Sequence, residues 1–505
     1  MTPVATVEDM FDLTELRDLI QARELSATDI VRDALARADA LDPQLGIMLG
    51  RFDEAAMAAA AAVDRATASG EALGPLAGVP LGVKAILACR EAVPSAQSLV
   101  HDPTFWPGRD APAVQSLRAA GGVIVGHTTM VEHAMGRPDP ARPFPIPRNP
   151  WDLQRWPGGS SSGTAIGIAA RLFPGGLGTD TAGSVRIPAA MCGVTALKPT
   201  HGTLPIAGCL PAAASLDVVG PMARSSRDLR LLMRVLSPGF GSDEHPSQGR
   251  IGVVDGLMTS QRGVGAEVGA RMRSALDVFA HAGYALESIE LAEFDELVAL
   301  TMTIMVREVS VVHEANLIAR WGDYGRSFRR LAVLGALIPD ERYRQARARA
   351  AQLRSLLTER FARFDAVAMP TWPTGALSYF SNGGTPADQT NFTAAWNAVG
   401  FPAVSLPVGC DSEQMPVAIQ LVGVPGADAA LVALGEQLQH ATDWHLQAPA
   451  DALLRTAGEP IPDPDAAVVA DESEAPVVRA LRAQGFTLDD IDAAVVAQAS
   501  RMFLG

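Results

Sequence analysis

The residues Gly158-Gly159-Ser160-Ser161-Ser162-Gly163, and after them Gly178-Thr179-Asp180-Thr181-Ala182-Gly183-Ser184-Val185-Arg186-Ile187-Pro188, decide how this chain is read. They set two serines, Ser160 and Ser184, 24 positions apart (184 − 160) in loops of small residues. Such loops let backbone N–H groups come close to a ligand. Upstream lies Gly78-Val79-Pro80-Leu81-Gly82-Val83-Lys84, an apolar run with a single ammonium. Burial penalises a charged amine, so a lysine in that setting loses its proton more easily and can serve as a base. A lysine base with two loop serines makes a nucleophilic catalyst that needs no histidine. Taken alone, Lys84 reads as a surface or ion-paired lysine, and only the two serine loops reverse that. The three loop serines also read as helix caps, a role that fits Ser161 or Ser162. Gly159–Gly163 formally matches Gly-x-Ser-x-Gly, which would make Ser161 the nucleophile of a histidine-dependent hydrolase. That elbow requires a strand directly before it, and Gln154-Arg155-Trp156-Pro157-Gly158 is no strand.

A chain of 505 residues that is 48% hydrophobic and 19% charged can bury a large core. Its net charge of −15 argues against nucleic acid as a general partner. Cys89, Cys192, Cys209 and Cys410 are scattered without metal-ligand spacing and read as small buried hydrophobes in a reducing compartment. The segment Met1–Asp9 lacks the basic start and apolar core of a secretion signal. No apolar run approaches the ~20 residues of a membrane span. The expected location is the cytoplasm, with no membrane partner.

Helical and buried-strand patterns alternate along the chain, which predicts an α/β sheet. Helices are expected over two stretches within 9–42, over 54–68 before Ser69-Gly70, and over 113–120 with Pro112 in the first turn. Strands are expected over 76–86 and 122–126, then strand, helix, strand over 250–291. A long Met-containing helix covers 292–321 and reads as core filler or a substrate-facing element; a polar helix follows over 340–363, a strand over 364–370 and a helix over 429–438. Six prolines between Pro138 and Pro150 make a stiff loop, a connector or a pocket wall, leading into the serine region. The segment 459–476, rich in Pro, Asp and Glu, reads as a linker. Two short helices follow around Gly485, with Thr487 and Asp490 as the second start signal.

With these motifs the chain resembles the amidase signature hydrolases. The match extends to Lys84, to Glu132-His133-Ala134-Met135-Gly136, to Arg148-Asn149-Pro150-Trp151-Asp152, to Cys192-Gly193 and to Leu197–Gly202. Asn397–Ala403 and Pro416–Leu421 look like the family's C-terminal strands. The resemblance implies a large mixed, twisted sheet covered by helices on both faces, here with a small helical C-terminal extension. The expected division is a catalytic domain over 1–456, a linker over 457–476 and a helical tail over 477–505. The tail packs on the main body or on a partner subunit, and a homodimer is compatible with the latter.

The resemblance also implies the chemistry. Ser184 is the nucleophile, Lys84 the base, and Ser160, after a cis peptide bond, the proton relay between them. The backbone N–H groups of Thr181, Ala182, Gly183 and Ser184 form the oxyanion hole. Met135, Gly136 and Gly159 bind substrate, Asp180 and Arg186 support the loop as an ion pair, and neither metal nor cofactor is needed. The family works on amides, ureas and carbamates, and aryl acylamidase and urethanase activities fall within that range. This chain departs at Ala85-Ile86, where Asp-Asn often follows the lysine, and at Ser162 and Ala182, where glycines are usual. Ala182 is tolerable if its φ is negative. The apolar Ala85-Ile86 favours a neutral, apolar substrate. Two other functions fit the same family motifs: one component of an amidotransferase that works with partners on charged tRNA, and a non-catalytic scaffold. Retention of Lys84, Ser160 and Ser184 argues against the scaffold.

Overall fold

The computed structural model describes residues 12–241, 249–380, 391–450, 458–463 and 475–503. Most of the expected linker over 457–476, and all of Met1–Asp9, lie outside them. The strands are β1 (Met48–Arg51), β2 (Pro80–Lys84), β3 (Val123–Thr128), β4 (Gly175–Asp180), β5 (Thr195–Lys198) and β6 (Val218–Ala223). They continue with β7 (Arg250–Val253), β8 (Ala285–Ser288), β9 (Ala366–Pro370), β10 (Ala403–Cys410) and β11 (Pro416–Val422). Among the described residues they form one 11-stranded sheet, ordered β1-β3-β2-β4-β6-β5-β10-β11-β9-β7-β8. The pairs β3–β2–β4 and β9–β7–β8 run parallel, and the strands between them run antiparallel. The fold is thus α/β with a mixed sheet. Every residue of β2 to β6 is buried, so both faces of the central sheet are covered.

Local sequence explains most elements. The helix Ala27–Leu45 starts where the Ser26 hydroxyl accepts from the Asp29 N–H at 3.1 Å. The helix Asp53–Ser69 stops at Gly70 in the left-handed region, and Pro112 opens the helix Pro112–Ala119. The expected strand over 76–86 is shorter, because 75–78 form turns before Pro80 and 85–86 turn after Lys84. Asn397 lies in the short helix Ala395–Ala398, and the strand expected there begins only at Ala403. Of the described helices, none is long and apolar enough to cross a membrane.

Two helices, Pro476–Ala483 and Asp490–Phe503, make up the C-terminal extension. The second begins not on Thr487 but on Asp489, whose Oδ1 accepts from the Asp492 N–H at 2.7 Å. A carboxylate suits this position at least as well as a hydroxyl. The extension packs on the main body: Val478, Leu481, Phe486 and Val496 share a buried apolar cluster with Met305 and Phe328.

Strands β2 and β4 are parallel neighbours, with Val83 opposite Leu177. Their carboxyl ends therefore reach the same edge of the sheet, and Lys84 and Thr179-Asp180 meet there.

Candidate active site

Lys84 closes β2 and is fully buried. Its Nζ donates to Ser160 Oγ at 2.7 Å and to Thr179 Oγ1 at 2.8 Å. Burial pushes its pKa down to about 7, although nearby Cys209, Asp180 and Asp217 favour the charged form. The amine is therefore poised between charged and neutral near neutral pH. Ser160 stands in the loop before the helix Ser162–Ala169, and the Gly159–Ser160 peptide bond is cis. Ser184 follows β4 in the loop leading to the helix Arg186–Cys192. The two loops are tied together where the Ser161 N–H donates to the Ser184 carbonyl at 3.1 Å.

Ser161 and Ser162 are not helix caps by side chain. The Ser161 hydroxyl donates to the Thr179 carbonyl and accepts from the Thr179 N–H, both at 3.3 Å. Ser162 Oγ turns back to the Gly158 carbonyl at 2.6 Å. Both hydroxyls bond to backbone groups outside the helix's first turn instead, and Ser161 is fully buried and engaged. Ser184 keeps an exposed fraction of 8%. Among the described residues no histidine hydrogen-bonds to Ser160, Ser161 or Ser184.

The amides of residues 181–184 divide unevenly. The N–H groups of Thr181, Ala182 and Ser184 take no protein acceptor among the described residues, whereas the Gly183 N–H donates to Asp180 Oδ1 at 2.8 Å. The set of four expected from the sequence is thereby reduced to three with no protein acceptor, because the Asp180 carboxylate lies within reach of the fourth. Gly183 has φ +126, and a Cβ on it would stand 1.9 Å from Thr393 Oγ1. Only glycine fits there. Ala182 keeps a negative φ, so its methyl group costs no backbone strain.

Asp180 and Arg186 form a fully buried ion pair at 2.9 Å. Burial raises the Asp180 pKa, but the Arg186 guanidinium, with Lys198 and Asn397, overrides this and holds it at about 2. Arg186 also donates to Asn397 Oδ1 (2.7 Å), the Thr393 carbonyl (2.9 Å) and Gln420 Oε1 (3.2 Å). The frame therefore joins β4 to residues more than 200 positions away. Sequence reasoning missed Thr179, Thr393, Asn397, Gln420 and Asp217, whose Oδ1 accepts from Thr181 Oγ1 at 2.6 Å. Thr179 carried a signal, since it lies within the serine motif itself, and Asn397 and Gln420 lie in the matched segments 397–403 and 416–421; Thr393 and Asp217 carried none.

Met135 is buried in an apolar cluster against which Ala182 and Met302 also pack. Gly136, with φ +97, lies against Ser327, and Gly159 lies against Val131 and Trp156. The four cysteines carry free thiols; Cys410 is half-buried and the others are buried. Chemically, the arrangement offers a desolvated amine in contact with one serine, a second serine on a loop bonded to the first, and three N–H donors beside it.

The Amidase family model matches residues 29–432. The chain belongs to the amidase family. One component of the glutamyl-tRNA(Gln) amidotransferase of Roseiflexus sp. (strain RS-1) is 32% identical to it over 488 residues, spanning 88% of this chain and 99% of the relative. A solved amidase structure is 28% identical with a TM-score of 0.79, spanning 85% of this amidase-family chain and 99% of its own. The peptide amidase of Stenotrophomonas maltophilia is 26% identical with a TM-score of 0.74, spanning 85% and 96%. The expectation of no nucleic-acid partner, drawn from net charge, finds no support in relatives named for a tRNA substrate.

Proposed function

We propose that this chain hydrolyses the C–N bond of neutral, apolar amides or carbamates through an acyl-Ser184 intermediate. The observation that carries the proposal is the 2.7 Å contact between a buried, readily deprotonated Lys84 and Ser160. Neutral Lys84 draws a proton from Ser160 as Ser160 takes one from the Ser184 hydroxyl. Ser184 Oγ then bonds to the carbonyl carbon, and the oxyanion meets the N–H groups of Thr181, Ala182 and Ser184. The C–N bond breaks as the proton returns along the same path to the leaving amine. Water, deprotonated by the same relay, hydrolyses the ester and restores Ser184. Met135, Gly136 and Gly159 line the substrate site, and the apolar cluster around Met135 and Ala182 suits an uncharged acyl group. The catalytic unit spans 1–456 and works in the cytoplasm, where its free thiols stay reduced.

A second proposal is favoured by relatives named as components of a tRNA amidotransferase, which align with this chain over nearly their whole length. In that case the same chemistry would release ammonia within a complex that acts on charged tRNA. The two separate on the purified chain alone, given aryl amides and aryl carbamates of one chromogenic amine. Turnover without partners, lost in Ser184→Ala, supports the hydrolase; turnover only on addition of partner proteins and charged tRNA supports the second.

A further inference from the structure

The C-terminal extension is tied to the candidate site through one buried carboxylate. Asp492, on the helix Asp490–Phe503, is fully buried. Its Oδ2 accepts from Trp321 Nε1 at 2.7 Å and from Arg329 at 2.8 Å, and its Oδ1 accepts from Arg330 Nε at 2.5 Å. Charge-assisted bonds of this kind hold the helix Arg326–Ala332 firmly, because either charge left alone there is costly.

The start of that same segment carries the loop 132–139. The Gly325 N–H donates to Glu132 at 2.7 Å, and the Arg326 guanidinium holds Asp139 at 2.9 Å. In the other direction the Arg137 N–H donates to Ser327 Oγ at 2.9 Å. Gly136 lies so close that a Cβ there would stand 2.6 Å from Ser327 Oγ. Met135 sits in the middle of this loop. It belongs to the buried cluster that includes Phe328 and the extension's Phe486 and Val496, and Ala182 beside the nucleophile packs on the same cluster.

We propose that the C-terminal helical pair is the outer support of the acyl-binding wall, with Asp492 the positioning residue that sets where Met135 stands. The family match ends at residue 432, so this support is built from chain outside it. Asp492 acts through Arg329, Arg330 and the helix they share, and touches no reacting atom. The kinetic consequences rest on the acyl-Ser184 proposal above; the structural link does not.

The test uses the full chain and Asp492→Ala. Hydrogen–deuterium exchange is expected to show the amides of 132–137 losing protection about tenfold, while β2 and β4 stay unchanged. In hydrolysis of 4-nitroanilides, KM for a hexanoyl group is expected to rise about tenfold while kcat for an acetyl group changes less than about twofold. Asp492→Glu should recover part of the loss. If Asp492→Ala does not fold, Ser327→Ala cuts the same link at the Arg137 N–H, and the same split is expected. Unchanged protection at 132–137, or an equal fall for both acyl lengths, overturns the proposal. If the wild type hydrolyses neither anilide, the amide branch of the proposed hydrolase activity falls by itself, and exchange at 132–137 still decides this one.

Discussion

Lys84→Met should abolish activity and yet raise stability near neutral pH, with an effect that changes with pH. Burial lowers the Lys84 pKa from 10.5 to about 7. The unfolded chain therefore binds a proton at Lys84 that the native protein gives up between these values. Native stability falls as pH drops from 10.5 towards 7, and the loss levels off below 7. Each pH unit in that window is worth about 1.4 kcal/mol. At neutral pH the buried amine costs the fold roughly 4 kcal/mol, and near pH 9 roughly 2. Methionine fills similar volume and carries no charge. It leaves the Ser160 and Thr179 hydroxyls without their amine partner, which costs about 1–3 kcal/mol and does not change with pH. The advantage of Lys84→Met over wild type should therefore widen by about 2 kcal/mol between pH ~9 and pH ~7. Lys198, also buried and lowered to about 7, is present in both proteins and cancels in the difference. Urea denaturation of both proteins at the two pH values measures it. A difference that stays constant, or that shrinks towards pH ~7, would refute a desolvated Lys84.

Further outcomes follow from the same geometry. The kcat/KM of the wild type should rise with pH and flatten above about 7, where Lys84 is neutral; a profile that peaks below pH ~6 contradicts a lysine base. Ser160→Ala removes the hydroxyl that Lys84 Nζ contacts, the proposed proton relay, and should lower kcat by ~10²–10⁴ with KM little changed, measured by steady-state kinetics. Asp180→Asn leaves the Arg186 guanidinium buried without its counter-charge and should destabilise the fold by about 3–5 kcal/mol in urea. Gly183→Ala would place a Cβ 1.9 Å from Thr393 Oγ1 and should inactivate the protein, whereas Gly50→Ala, with open space around it, should not.

Much of this was legible in the sequence, and the boundary has physical causes. Helices whose ends are set by short-range chemistry were readable: Ser26 with Asp29, Pro112, and Ser69-Gly70 each act within a turn. Lys84 and Ser160 could be paired only because both belong to motifs, since 76 positions separate them and no local rule connects them. The loop hydroxyls were misjudged for a similar reason. Ser161 and Ser162 occupy a cap-like sequence position, yet Thr179 on the neighbouring strand and the Gly158 carbonyl compete for them and win. Arg186 was readable as a partner for Asp180, six positions away, but Asn397 and Gln420 reach it only through the fold. The loop 181–184 shows the same limit: that the Gly183 N–H donates to Asp180 Oδ1 follows from how the loop folds back on that carboxylate, which the motif does not spell out.

Trapping the acyl-enzyme tests the role of Ser184 most directly. The purified chain is mixed with an aryl ester of the preferred acyl or alkoxycarbonyl group, quenched in acid within a turnover, and its mass and peptide map are recorded. A mass increase of one acyl group in place of a hydrogen is expected on the peptide that carries Ser184, and none in Ser184→Ala. An adduct on Ser160 or Ser161 instead, or rapid hydrolysis by Ser184→Ala, would contradict it.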